Sequence, residues 1–326
     1  MTPPPFTLAE LEAAARLVHA SIPPTPLHHW PLLSQRAGTE VWVKHENHLP
    51  TGAFKVRGGV TLVDWLRRTQ PDCPGIITAT RGNHGQSQAR AAVAAGLRAV
   101  IYVPRGNSVE KNVAMRAYGA ELREVGDDFD TARLAAMAAA EAEGLFPVPP
   151  FHPELLRGVA TYGLEMLTAR PDLDTVYVPI GCGSGICGVI AARDALGLQT
   201  EVVGVVAAGA AGAKLSAEAG QLVETASART FADGLAVRVP VQAALDIYGP
   251  GAARILAVDD DQIAAAVRAI YTDTHNLAEG AGAAALAGLL AERDRMAGRR
   301  VGIVLSGGNI DASVFSQVLT GAVPAA

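Results

Sequence analysis

The sequence predicts a mostly parallel α/β fold. Two patterns along the 326 residues predict it: short apolar runs alternate with longer helical stretches, and one strong break, Phe146-Pro-Val-Pro-Pro150, interrupts the alternation. Composition agrees. Hydrophobic residues make up 49% and charged residues 18%, enough for a large buried core and too apolar for a disordered chain. Aromatics are only 5%, and the abundant alanine and glycine suit helices packed closely onto a sheet.

In chain order, strands are predicted at Val41–Lys44, Gly75–Ala79, Ala99–Val103, Glu121–Val125, Thr175–Pro179, Glu201–Val206, Arg254–Val258 and Arg300–Leu305. Helices are predicted at Val56–Arg68, Gly85–Ala95, Val109–Tyr118, Asp128–Glu143, Leu155–Thr168, Ile186–Leu196, Asp260–Thr272 and Glu279–Arg293, with Asp259 as an N-cap. The proline-rich break ends a unit that begins near Gly75. The expected organisation is therefore a small α/β domain, 75–150, inserted into a larger one made of 1–74 plus 151–326. A cleft between two such domains is a common cofactor site.

Several function classes are disfavoured. A net charge of −5 without a basic tract argues against a nucleic-acid partner. The stretch from Val176 to Ala192 is interrupted by Pro179, Ser184 and four glycines, so no membrane span is expected. The N-terminus lacks a basic region followed by an apolar run. Cys73, Cys182 and Cys187 form no metal-type pair and no even framework, which points to a reducing cytoplasm. Cys73 reads as a loop or surface thiol, and the other two as small packing residues in a glycine-rich turn. His28, His29 and His152 read as surface residues, and no cluster has zinc spacing.

Three segments carry chemistry. In Pro50-Thr-Gly-Ala-Phe-Lys-Val-Arg-Gly-Gly59, Lys55 stands where a loop turns into a helix. A helix N-terminus disfavours an ammonium, and a neutral amine is what imine formation needs. The second segment, Thr78-Ala-Thr-Arg-Gly-Asn-His-Gly-Gln86, follows a strand and opens a helix, where free N–H groups can take a carboxylate. The third, Pro179-Ile-Gly-Cys-Gly-Ser-Gly-Ile-Cys-Gly188, lets successive N–H groups converge on a phosphate. It also contains Gly183-x-Gly185-x-x-Gly188, a dinucleotide-type spacing. The next strand, however, ends at Val205-Val206-Ala207-Ala208 without the acid a ribose needs. No P-loop GKS or GKT is present.

Together these segments resemble the serine/threonine dehydratase family of fold-type II pyridoxal-5′-phosphate (PLP) enzymes. The resemblance runs from Lys44-His-Glu-Asn47 to Ser306-Gly-Gly-Asn309. The lysine segment, the RGNHGQ loop, the glycine loop and the SGGN turn follow in family order, supported by Thr230-Phe-Ala-Asp-Gly-Leu-Ala-Val237 and Glu279-Gly-Ala-Gly-Ala-Ala-Ala-Leu286. The resemblance implies two open, mostly parallel twisted sheets flanked by helices, like the tryptophan synthase β chain. It implies that Lys55 holds PLP as an imine and later shuttles the α-proton. Phe54 would pack beside the ring, Asn83 would bond its phenolic oxygen and Ser306 would face its pyridine nitrogen. Gly181, Cys182, Gly183, Ser184 and Gly185 would cradle the phosphate. Thr80, Arg81, Gly82, Asn83 and His84 would take the substrate carboxylate.

The implied reaction is β-elimination from threonine, serine or a related 3-hydroxy amino acid such as phenylserine, giving a 2-oxo acid and ammonia. A cytoplasmic homodimer acting on a small amino acid is expected. A serine at the ring nitrogen donates without supplying charge, which suits expulsion of a β-group over a persistent carbanion. Two departures stand out. Arg81 occupies the position where racemases of the family present a serine; it reads either as a carboxylate ligand or as an outward-facing residue. The segment 205–213 lacks the acidic residues that bind a metal in some relatives, so no metal is expected. Asp233 reads as a turn residue, and Glu279 as a helix-start acid or a residue near the cofactor. The alternatives are a racemase of the same family, a β-replacement synthase, and a non-catalytic amino-acid sensor.

Overall fold

The computed structural model describes residues 5–325. Among the described residues ten strands form two sheets: β1 Leu27–His29, β2 Glu40–His45, β3 Gly75–Ala79, β4 Arg98–Val103, β5 Glu121–Glu124, β6 Phe146–Pro147, β7 Thr175–Pro179, β8 Glu201–Ala207, β9 Arg254–Val258 and β10 Arg300–Leu305. The larger sheet has the order β1-β2-β10-β7-β8-β9 and the smaller β5-β4-β3-β6. All pairs are parallel except β1 with β2 at one edge. The mostly parallel α/β reading therefore holds, and every strand of the smaller sheet lies within 75–147.

The central strands of the larger sheet, β10, β7 and β8, are buried on both faces, which is why they read as continuous apolar runs. Val203, Val205 and Ala207 belong to one core cluster, whereas Val202 and Val206 belong to the other. This alternation follows from the two-residue period of a strand. The helix Gly280–Ala291 packs against this sheet and is buried along nearly its whole length. Its small residues permit that closeness, since a Cβ on Gly288 would fall 2.5 Å from a Val205 methyl.

Some elements differ from the sequence reading. The helices Leu8–His19, Pro31–Ala37, Gly212–Ala219, Gln242–Gly251 and Ala312–Leu319 were not predicted. The proline-rich break is not wholly loop: Phe146–Pro147 adds a two-residue edge strand beside β3, a place where the missing proline N–H costs nothing. His152 is half-buried rather than fully exposed. It caps the helix Pro153–Ala169 by accepting from the Glu154 N–H, and its ring packs 5.0 Å from that of Trp65. His28 and His29 are exposed, as expected. Cys73 is half-buried and donates to the Gly75 carbonyl, while Cys187 is buried.

What this topology positions is a meeting of loops. β10 lies between β2 and β7, so the loops leaving the carboxyl ends of these three parallel strands open at one place. Ligands of open α/β sheets bind at such strand ends. Here the three loops carry Lys55, Ser306 and the glycine run.

Candidate active site

The lysine turn is stitched to the end of β10. The Phe54 N–H donates to the Ser306 carbonyl at 3.1 Å, the Gly308 N–H donates to Gly52, and Ala53 bridges to Gly307. Lys55 then caps the helix Val56–Thr69 without a side-chain cap bond. Its Nζ lies 4.9 Å from the Phe54 ring centroid, and that ring packs edge-on to Tyr162 at 5.9 Å. Burial pushes the Lys55 pKa below its ordinary value, with Cys182 and Glu279 opposing. Among the described residues its amine makes no hydrogen bond and no ion pair. The other three lysines are all tied: Lys44 to Glu165, Lys111 to Asp233 and Lys214 to Glu218.

The glycine loop follows β7. Gly183 has φ +95° and caps the helix Ser184–Ala195 with no side-chain cap. The first helical bond runs from the Cys187 N–H to Gly183 at 3.0 Å, so the amides of Ser184, Gly185 and Ile186 have no partner within the helix. Added side chains do not fit. A Cβ on Gly181 would lie 2.1 Å from the Gly234 carbonyl oxygen, and one on Gly183 would lie 2.7 Å from the Ala244 Cβ. The loop adjoins the lysine turn: a Cβ on Gly185 would touch the Phe54 ring at 3.7 Å, and the Tyr162 hydroxyl donates to the Gly185 carbonyl at 2.8 Å. Burial raises the Cys182 thiol, while the neighbouring Lys55 opposes it.

The third loop leaves β3. Thr80 is buried, and its Oγ1 accepts from the Gly82 N–H at 3.0 Å. Asn83 opens the helix Asn83–Ala94; its Nδ2 donates to Glu279 Oε1 at 2.6 Å and its Oδ1 accepts from Asn309 Nδ2 at 2.7 Å. His84 Nε2 is buried with no hydrogen-bond partner. Burial, helped by the Lys55 charge, pushes this imidazole down to about 3, so it is neutral at pH 7. Arg81 is exposed and makes no ion pair among the described residues. The structure thus brings Phe54, Lys55, Asn83, His84, the glycine loop and Ser306 together, and leaves Arg81 at the rim.

Two partners of the site were only partly legible. Glu279 does start a helix, but its carboxylate caps nothing; it reaches Asn83 instead. Asp233 does sit in a turn, and it also pairs with Lys111 at 3.0 Å. Lys111 was not singled out in the sequence, since a lysine on a predicted helix carries no mark of burial. Among the described residues no three His, Cys, Asp or Glu side chains cluster as metal ligands, and no helix is long and apolar enough to cross a membrane.

An anion cradle of bare amides, an unpaired half-buried amine and an orphaned imidazole nitrogen fit a phosphate-bearing aldehyde cofactor. The fit makes a prediction. Gly181→Ala forces a methyl against the Gly234 carbonyl, an overpacking cost of about 1–3 kcal/mol, so PLP affinity should fall roughly 10- to 100-fold in a spectrophotometric titration. Wild-type affinity in this variant would remove the cradle from the account.

Comparison with known proteins agrees with the geometry. A family model described as pyridoxal-phosphate dependent enzyme matches residues 18–307. The chain is similar to the L-threonine ammonia-lyase of Geobacter sulfurreducens, 36% identical over 97% of this chain and 78% of that protein. It is also similar to a putative threonine dehydratase of Sinorhizobium fredii, 34% identical over 98% and 97% of the two chains. The processed form of threonine deaminase isoform 2 from Solanum lycopersicum superposes with a TM-score of 0.89, at 30% identity over 98% of this chain and 96% of that one. The chain belongs to the pyridoxal-phosphate-dependent enzyme family.

Proposed function

We propose that this enzyme is an ammonia-lyase that removes the β-hydroxyl of threonine, serine or a related 3-hydroxy amino acid, releasing a 2-oxo acid and ammonia. The observation that carries the residue assignments is the state of Lys55. It is the one lysine among the described residues whose amine is unpaired, and burial biases it toward the neutral form. Threonine ammonia-lyase and threonine dehydratase relatives support the reaction type.

In this reading Lys55 holds the cofactor and afterwards accepts the substrate α-proton. The amides of 181–185 hold the phosphate, Phe54 packs beside the ring and Asn83 donates to its phenolic oxygen. Bound PLP supplies an electron sink for the pair left at the α-carbon. Ser306 meets the ring nitrogen with a hydroxyl rather than a carboxylate, leaving that sink modest. The loop from Thr80 to His84 orients the substrate carboxylate. The three cysteines are free thiols, which agrees with a cytoplasmic enzyme; we read it as a homodimer, to be checked by sedimentation. The division into a small domain, 75–150, and a larger one remains part of this proposal, supported by the separate sheet within 75–147.

Arg81 separates elimination from racemisation. Inversion needs a second acid on the face opposite Lys55, and an arginine does not cycle protons near neutral pH. Given one enantiomer of serine or threonine, the enzyme should form oxo acid far faster than inverted amino acid, as followed by chiral chromatography. Inversion as fast as elimination would defeat the reading. Arg81→Ser should admit some inversion if Arg81 only blocks that face. A collapse of substrate affinity would instead make it a carboxylate ligand.

A further inference from the structure

We propose that Lys111 and Glu279 are positioning residues that lock the orientation of the Asn83 carboxamide. The inference rests on the reading in which Asn83 faces the cofactor.

A carboxamide presents an acceptor at one end and donors at the other, and only its neighbours decide which end faces where. Asn309 gives its two N–H groups to the Thr51 carbonyl at 2.8 Å and to Asn83 Oδ1 at 2.7 Å. Glu279 takes one N–H of Asn83 at 2.6 Å. With both ends engaged, one N–H of Asn83 Nδ2 is left over. An ionised carboxylate can only accept, so while Glu279 is charged the amide cannot turn over. A protonated Glu279 has a donor of its own, so its half of the lock opens and the Asn309 bond alone is left to hold the amide.

Lys111 supplies the cation that opposes protonation of Glu279. Both are almost fully buried, at 7% and 6% exposure. The Lys111 ammonium stands 3.0 Å from Asp233 and 4.0 Å from Glu279. Its stem runs under the substrate loop, since a Cβ on Gly82 would lie 2.6 Å from Lys111 Cδ. The helix that bears it, Val109–Ala117, is fastened to the segment after β10: the Ser108 hydroxyl donates to Asp311 and Glu110 accepts from the Ala312 N–H at 2.9 Å. Burial raises the Glu279 pKa; Lys111, Asn83 and Lys55 oppose it, Asp233 adds to the rise, and the net shift is upward. Burial also works against the Lys111 charge, but Glu279, Asp233 and Asp311 outweigh it and the net shift is upward. A pocket of about 140 Å³ lined by Lys111, Asp233, Glu279 and Asn309 gives water, and so protons, access to the pair.

The test is a pH titration of the absorption band of the holoenzyme, a readout that a purely structural ion pair would not move. In wild type and Lys111→Arg any one-proton titration of the band should lie at lower pH than in Lys111→Met, because the cation opposes protonation of Glu279. In Lys111→Met the band should titrate with one proton as Glu279 protonates, and kcat on the acid side should be about tenfold lower, the loss of one hydrogen bond. The double variant Lys111→Met/Glu279→Gln should lose the titration. A flat band in Lys111→Met, or a titration that persists in the double variant, would overturn the proposal. If Lys111→Met does not yield folded holoenzyme, Glu279→Leu, which removes the acceptor altogether, decides: a displaced, pH-independent band supports the lock, and a wild-type band refutes it. Borohydride labelling of wild type keeps the two levels apart. No label on Lys55 sinks the underlying reading, whereas a labelled Lys55 with an unresponsive Lys111→Met sinks only the lock.

Discussion

Lys55→Ala should lose at least about 10⁴-fold in turnover, because one amine serves both covalent attachment and proton transfer and proton transfer alone contributes up to that much. The variant should still take up PLP weakly, since the bare amides at the start of Ser184–Ala195 do not depend on the lysine. Steady-state oxo-acid formation together with equilibrium dialysis of the cofactor checks both halves. Turnover within tenfold of wild type would remove Lys55 from the chemistry. Full loss of fold would be uninformative about catalysis, so circular dichroism of the variant belongs with the assay. No other lysine can substitute. Lys44 and Lys111 are buried and bound to carboxylates, and Lys214 pairs with Glu218.

The second large effect lies beneath the site. Arg57, two residues after Lys55 and fully buried, spends its guanidinium on Glu46 at 2.7 Å, Glu165 at 2.6 Å and Thr161 at 3.0 Å. Lys44 completes the cluster through Glu165 and the Thr25 carbonyl. Arg57→Met would leave Glu46 buried and unpaired, a loss of roughly 3–5 kcal/mol, read as a lower urea midpoint. A loss below about 1 kcal/mol would mean that the cluster reorganises or fills with water. The same cluster sets an acid limit. Burial raises the Glu165 carboxyl, but Arg57 and Lys44 outweigh it and hold the group at about 2 against an ordinary 4.5. The folded pKa is depressed, so the stabilisation is fully present above pH 4.5 and is lost as pH falls toward 2. Unfolding free energy measured across that window should fall with pH in wild type and fall less steeply in Arg57→Met.

The fold was legible where burial imposes a simple pattern. Thr175–Pro179, Gly75–Ala79, Arg254–Val258 and Arg300–Leu305 are parallel strands whose apolar runs end where the strands end. Short or punctuated helices were not. Pro31–Ala37 has only 7 residues, and Gln242–Gly251 contains Pro250, so neither shows enough turns of apolar periodicity to stand out. Two site helices begin two residues earlier than expected, at Asn83 and Ser184. Their first turns are polar or glycine-rich and so lack the apolar periodicity that marks a helix. The cofactor loops were legible because each is a local stretch of sequence. The Asn83–Glu279 bond was not, because its partners are 196 residues apart. Glu165 likewise gave no sign: its place on a helix says nothing about the buried Arg57 it meets.

The most direct test of the central claim uses the small number of lysines. The chain contains four, Lys44, Lys55, Lys111 and Lys214. Borohydride reduction of the yellow holoenzyme followed by peptide mapping should place a single pyridoxyl group on Lys55, with the other three unmodified. A pyridoxyl group on Lys44, Lys111 or Lys214, or none on any of them, would contradict the account.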